Sequence, residues 1–207
     1  MPIVILIRHG ENEYVKKGRL AGRKPGVRLN EKGRAQAQAL ADSLKHLPIK
    51  AVYSSPLDRT METAEPLAHA KNLEVIPREG LLEVDFGSWQ DRTLKELSRR
   101  KLWKTVQSAP TQMRFPEGES FAEAQQRITN ELIALSKLHK PKDMIACFGH
   151  SDMIKLAVSY FIGQPLDLFQ RLMVQPASVT TLSIMPDKGA FLINLNHVPY
   201  HLSLIHI

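Results

Sequence analysis

Cysteine is all but missing from this chain: Cys147 is the only one in 207 residues. A lone thiol excludes an internal disulfide framework and fits a reducing compartment. Cys147 lies within the apolar run MIACFGH and reads as a small core residue, not a nucleophile. Long hydrophobic runs are absent as well; none approaches the roughly 18–20 residues of a membrane-spanning helix. The opening MPIVILIRHG carries five apolar residues after Pro2 and then Arg8, without the charged n-region and long h-region of a signal peptide. The expected location is cytoplasmic, with no membrane partner. Linkers, internal repeats and low-complexity tracts are also lacking, so one domain over residues 1–207 is the simplest organisation.

A formal net charge of +7 favours anions without saying which. Nucleic acid is not the expected partner, because zinc-finger spacing, a strong helix-turn-helix pattern and arginine–glycine repeats are all missing. His197, His201 and His206 gather near the C-terminus with no matching carboxylate or cysteine set. They read as a polar edge, and neither a metal nor another cofactor is expected. Positive charge concentrates in KKGRLAGRKPGVR (16–28), a glycine-rich loop suited to rim a small anionic site. A second cluster, RTLKELSRRKLWK (92–104), reads as a solvated helix face.

What is present alternates short apolar runs with amphipathic helices. IVILI (3–7) has the composition of a fully buried strand. Asn30 is placed to cap the helix EKGRAQAQALADSLKHL, whose Ala37, Leu40, Ala41 and Leu44 share one face. AVYSS (51–55) is strand-like, and the helix after it is expected to start with Ser55 as cap and Pro56 in the first turn, then to kink or break near Pro66. LEVIP follows as a short strand, LLEVDFGSW as an extended stretch ending in a glycine turn, and MIACFGH as another buried strand before the helix SDMIKLAVSYFIG. SVTTLSIM and FLINLN, separated by the turn PDKG, close the pattern as strands. Repeated strand-then-helix units imply an α/β fold: a largely parallel sheet with helices on both faces, in three layers.

Three of these strands stop on the same kind of residue. The first ends at Arg8-His9, the second leads through Ser54-Ser55 into a helix carrying Arg59, and the third ends at Gly149-His150. Ligands of open α/β sheets collect at the carboxyl ends of strands, so two arginines and two histidines converge on one edge. Such a cluster suits phosphoryl transfer. Arginine clamps phosphate oxygens at any pH near neutral, a neutral imidazole can accept the phosphoryl group covalently, and a second, protonated histidine can offset charge in the transition state. The missing proton donor is a carboxyl raised in pKa by desolvation. Glu83 and Asp85 in LLEVDFG both qualify, two residues apart on one side of an extended chain.

These residues resemble the histidine phosphatase superfamily, the phosphoglycerate mutase-like proteins. RHGEN, SSPLDRTMETA, LLEVDFGSW, FPEGES and FGHS occur in that superfamily's order over residues 3 to about 160. The resemblance implies a phosphoglycerate mutase-like fold and makes His9 the phosphorylated nucleophile. It places Arg8, Arg59 and His150 in the phosphate pocket and gives the acid/base role to Glu83. It also marks two departures. Val15 stands where members often carry an asparagine phosphate contact, with Asn12 as the nearby substitute, and Trp89-Gln90-Asp91 replaces a smaller WEG turn. Glu117 to Ser120 either line the substrate pocket or, the preferred reading, cap the next helix. Mutases of the superfamily are longer, with an insertion in the second half of the chain that encloses substrate. Here FPEGES and FGHS leave room for little more than one helix, and an open site admits water. The expected activity is a metal-independent phosphomonoester hydrolase acting on a small phosphorylated metabolite, as in the small bacterial phosphatase or phosphomutase members. A phosphoglycerate-type mutase is the first alternative and a non-catalytic phosphate-binding module the second. Oligomeric state stays open, a homodimer included.

Overall fold

IVILIR carries branched apolar side chains toward both faces of the pleat, which only an interior strand can bury. In the computed structural model, which describes residues 2–185 and 189–199, these residues form β1 (Ile3–Arg8) inside a six-stranded sheet. The other strands are β2 (Ile49–Ser54), β3 (Val75–Pro77), β4 (Met144–Gly149), β5 (Val179–Met185) and β6 (Gly189–His197), in the order β3-β2-β4-β1-β5-β6. β1 to β4 run parallel, while β5 pairs antiparallel with β1 and β6 antiparallel with β5. Residues 186–188 of the expected PDKG turn lie outside the described residues, as do His201 and His206.

The helices are α1 (Glu13–Lys16), α2 (Glu31–Leu44), α3 (Asp58–Lys71), α4 (Leu94–Leu97), α5 (Lys101–Ser108), α6 (Phe121–Lys137) and α7 (Ser151–Phe161). Alternation along β1 assigns the layers. Ile5 and Ile7 pack with Leu40, Leu44 and Leu67 of α2 and α3. Val4 and Leu6 join the cluster of Ile128, Leu132 and Leu156 from α6 and α7. The expected three-layer α/β sandwich is therefore present, and one helix, α6, spans the interval between FPEGES and β4. Among the described residues, no helix is long and apolar enough to cross a membrane.

Asn30 caps α2 as expected, its side chain accepting from the Gly33 N–H at 2.8 Å. The helix ends at Leu44, short of Leu47, because Leu47 precedes Pro48 and the α conformation is disfavoured there. Gly33 is needed where it stands: an added Cβ would lie 2.0 Å from the Glu11 carbonyl oxygen. The first turn of α2 thus presses on the chain leaving β1. Ser120, not the pocket, explains EGES: it caps α6 in a reciprocal pair with Glu123.

Two expectations for α3 fail. Ser55 does not cap it; Leu57 is the N-cap residue and the first helical residue is Asp58. The reason is that Ser55 stays paired to β4 through its N–H, bonded to Phe148 O at 2.9 Å, while its hydroxyl contacts His150. Pro66 does not break the helix, which continues to Lys71. Thr63, Ala64, Leu67 and Ala68 bury the stripe on either side of the proline, and that packing outweighs one missing hydrogen bond.

Candidate active site

Parallel pairing sets three strand ends side by side. Arg8 lies level with Gly149, and Ser54 with Phe148. The residues just beyond leave the sheet at its carboxyl edge. The His9 N–H donates to Gly149 O at 3.0 Å, so the backbone of His9 stays attached to β4.

His9 is 4% exposed, and its Nδ1 lies 2.7 Å from the carbonyl oxygen of Gly10. A carbonyl oxygen only accepts, so Nδ1 carries the proton and Nε2 keeps its lone pair. Burial first, then the charges of Arg59 and Arg8, hold the ring well below the ordinary histidine range against the opposing bond to Gly10. The result is a neutral imidazole with a bare Nε2. The Gly10 N–H donates to the Thr63 hydroxyl at 3.0 Å, which ties this turn to α3.

His150 is fully buried, and its ring meets that of His9 edge-on, with centroids 5.5 Å apart. Its Nδ1 is 3.2 Å from Arg59 Nη2 and its Nε2 is 2.9 Å from Ser55 Oγ. A guanidinium only donates, so Nδ1 is the acceptor and the Nε2–H points to Ser55. Burial, followed by Arg59, His9 and Arg8, lowers its pKa well below the usual range. Burial beside the guanidiniums favours the neutral ring, so the protonated form expected of the second histidine requires an anionic group beside it.

Arg59, second residue of α3, is 1% exposed. Its Nη2 also donates to Gly22 O at 2.7 Å, whereas Nε and Nη1 have no hydrogen-bond partner among the described residues. Burial lowers its pKa to about 10, which still leaves it charged near neutral pH. Unpaired cationic donors in a buried site favour an anionic guest. Arg8 donates from Nη1 to Val174 O at 2.7 Å. Asn12 is fully buried; its Oδ1 accepts from Val15 N at 2.9 Å, and its Nδ2 has no partner among the described residues.

Glu83 and Asp85 part company. The Glu83 side chain is 12% exposed, with Oε2 3.8 Å from His150 Nδ1 and Oε1 accepting from Val84 N at 3.0 Å. Burial and the negative charge of Asp152 push its pKa up to about 7, against Arg59 and Arg8. Asp85 turns instead toward Arg23, 3.6 Å away, and accepts from Gly87 N at 3.0 Å. The two carboxyls do not share a side because this stretch is not a regular strand. It bends at Gly87 (φ +50°), where a Cβ would lie 2.0 Å from Pro116 O. Arg127 of α6 holds the segment through Gly80 O and Leu82 O, at 3.1 and 2.8 Å. Arg23 donates to Glu83 O at 2.9 Å.

A cavity of about 470 Å³ is lined by Arg8, His9, Asn12, Arg59 and Glu83 together with a set of apolar side chains. His150 meets it through Arg59 and Glu83, not by lining it. The basic loop rims the cavity with Gly18 to Gly22, but its charges face acids: Arg19 and Lys24 bind Asp91, Arg23 binds Glu119, and Arg28 binds Glu62. His197 is exposed at the end of β6. Among the described residues, no group of three or more His, Cys, Asp or Glu is placed to hold a metal ion. Ser55, Thr63, Arg127 and the Gly22 carbonyl are site features that residue chemistry alone did not disclose. Only Ser55, at a strand end, carried any signal.

A family model described as histidine phosphatase superfamily (branch 1) matches residues 4–196. Phosphoserine phosphatase 1 of Hydrogenobacter thermophilus is 29% identical over 206 residues, covering 99% of this chain and 96% of that protein. A 2,3-bisphosphoglycerate-dependent phosphoglycerate mutase of Thermoplasma acidophilum is 29% identical over 184 residues, 89% of this chain and 88% of its own. Among solved structures, phosphoserine phosphatase of Entamoeba histolytica in complex with 3-phosphoglyceric acid superposes with a TM-score of 0.85 at 28% identity, over 95% of this chain and 97% of that one. The alpha-ribazole phosphatase of Shigella flexneri gives 0.82 at 25% identity, over 98% and 100%. With the family model spanning nearly every described strand and helix, this chain belongs to the histidine phosphatase superfamily and is a phosphoryl-transferring enzyme.

Proposed function

We propose that the chain, acting as one domain over residues 1–207 and located in the cytoplasm, hydrolyses a small phosphomonoester through a phosphohistidine on His9. The observation that carries this reading is the neutral His9 ring, whose Nδ1–H is committed to Gly10 O and whose Nε2 is free beside Arg59. In the first step Nε2 attacks phosphorus in line, the P–N bond forms and the P–O bond to the alcohol breaks. Glu83, whose pKa of about 7 keeps a large protonated fraction near neutrality, gives its proton to the leaving oxygen. In the second step the Glu83 carboxylate takes a proton from water, the water oxygen attacks phosphorus, and the P–N bond breaks to release phosphate. Arg8, Arg59 and the Asn12 amide hold the non-bridging oxygens. Asn12 thereby does what an asparagine does in members of the superfamily that carry one at the position of Val15. His150 completes the pocket. The dianionic phosphoryl group raises the pKa of its ring, which lets it take up positive charge as the transition state forms.

Hydrolysis is favoured over mutase chemistry because a single helix separates FPEGES from β4, leaving no long segment there to exclude water. The mutase reading keeps support from several relatives that bear that name, among them the one of Thermoplasma acidophilum, which matches over most of its length. The test is a rapid-quench experiment under alkaline conditions, which preserve phosphohistidine. Wild type should form a stoichiometric phosphoenzyme and release phosphate, with chelator having no effect. His9→Ala should form none and lose at least about 10³-fold in kcat. Normal turnover by that variant overturns the mechanism; exchange between phosphoglycerates outpacing phosphate release would make the enzyme a mutase.

A further inference from the structure

The cavity is much larger than a phosphoryl group, and much of the remainder of its wall is apolar, with Tyr14, Gln107, Ser151 and Gln170 as polar positions within it. The cavity's volume is about 470 Å³, well beyond the room one phosphoryl group occupies. Trp89, Trp103, Phe115, Phe121, Val106 and Leu94 line it. Trp103 lies nearly parallel to Trp89, with centroids 6.4 Å apart and planes at 21°. Leu94, 43% exposed, lines the cavity while also facing solvent, so an apolar side chain lies where the chamber and the surface meet. Val15 adds methyl groups to the same wall.

Charge points the same way. The arginines on the lining are Arg8 and Arg59, which stand with His9, and Arg19, whose Nε is 2.9 Å from Asp91 Oδ1 and donates to Asp91 O at 2.8 Å. Asp152, 3.3 Å from Lys155, lines the cavity as well, so beyond Arg8, Arg59 and His9 the described lining offers a guest carboxylate no cation that is not already paired with an acid. An amino-acid or hydroxy-acid phosphate fits such a wall poorly, while a ring-bearing alcohol covers it.

Resting on the phospho-His9 reading, we propose that the preferred substrate is a phosphomonoester of an uncharged alcohol bearing an aromatic or alicyclic group. That group would seat between the Trp103 side and the phenylalanines while the phosphoryl group reaches His9. Trp103, Leu94 and Val15 are then the specificity-determining residues.

The experiment compares primary alkyl phosphates, so that leaving-group chemistry stays nearly constant: ethyl phosphate, 2-phenylethyl phosphate and O-phosphoserine. Wild type should show kcat/KM at least tenfold higher for 2-phenylethyl phosphate than for either of the others. Trp103→Ser and Leu94→Asp, both at partly or fully exposed positions, should each shrink that ratio to under threefold. O-phosphoserine matching or exceeding 2-phenylethyl phosphate, or ratios unchanged in both variants, overturns the proposal and leaves the hydrolase reading standing. If no ester is hydrolysed, the hydrolase reading falls, and calorimetry on His9→Ala decides the chamber separately. Tenfold tighter binding of 2-phenylethyl phosphate than of O-phosphoserine supports it, and equal binding overturns it.

Discussion

Glu83 is the residue whose chemistry is most exposed to solution conditions. Its carboxyl titrates near 7, and in the proposed mechanism the acid form protonates the leaving group. For alkyl phosphates kcat should therefore fall as pH rises through about 7. Glu83→Gln should abolish that limb and lower kcat by about 10²–10⁴-fold, whereas an ester with a good leaving group such as 4-nitrophenyl phosphate should lose under tenfold in its first step. Single-turnover rates across pH for the two ester types check this; a limb that persists in the variant would assign it to another group. Arg8 and His9 were readable in the sequence because β1 stops there, and Arg59 because it stands in the first turn of the helix that follows β2. The choice between Glu83 and Asp85 was not, since their stretch is not a regular strand and each carboxyl lies by a partner distant in the chain, His150 for Glu83 and Arg23 for Asp85. The neutrality of His150 was equally hidden, because it arises from burial against Arg59, 91 residues away in the chain.

At the level of elements, α3 carries Arg59 in its first turn and Pro66 in its interior, and the two features are separable. Proline at position 66 removes the N–H that would bond to the carbonyl of residue 62 and crowds that carbonyl. Pro66→Ala restores the bond, at the expense of a more flexible unfolded chain. The expected outcome is stabilisation by about 1–2 kcal/mol in urea unfolding, with kcat unchanged within twofold. A destabilised variant would mean that the ring's partly buried packing matters more than the helix ladder. The cap at Asn30 was legible from local chemistry, whereas the start of α3 was not, because Ser55 is claimed by β4 and His150 across the sheet. The basic loop 16–28 rims the cavity, as its place behind RHG suggested, but the pairing of its charges was hidden for a related reason: Asp91 and Glu119, which face them, come from much later in the sequence.

For the whole molecule, burial of the site couples folding to protons. Below pH 6.5 the unfolded chain protonates His9 and His150, which the native state keeps neutral. Glu83 opposes this, since the native state holds its proton up to about 7 and the unfolded chain releases it near 4.5. Between about pH 5 and 6 the unfolded state thus binds two of these protons and the native state one, a net difference of one. Stability should rise with pH there by up to about 1.4 kcal/mol per unit, and Glu83→Gln should steepen the slope to about twice that. Urea unfolding at several pH values reads both slopes directly; a stability that falls with rising pH in this window would contradict the neutral histidines. The sheet's register has one more consequence. β4 lies between β1 and β2, and the level pairs Arg8–Gly149 and Ser54–Phe148 are what bring His9, Arg59 and His150 together. Catalysis is therefore a reporter of cooperative melting: the strands cannot separate while the machinery survives, so activity and the far-ultraviolet circular dichroism of the sheet should vanish at the same denaturant concentration.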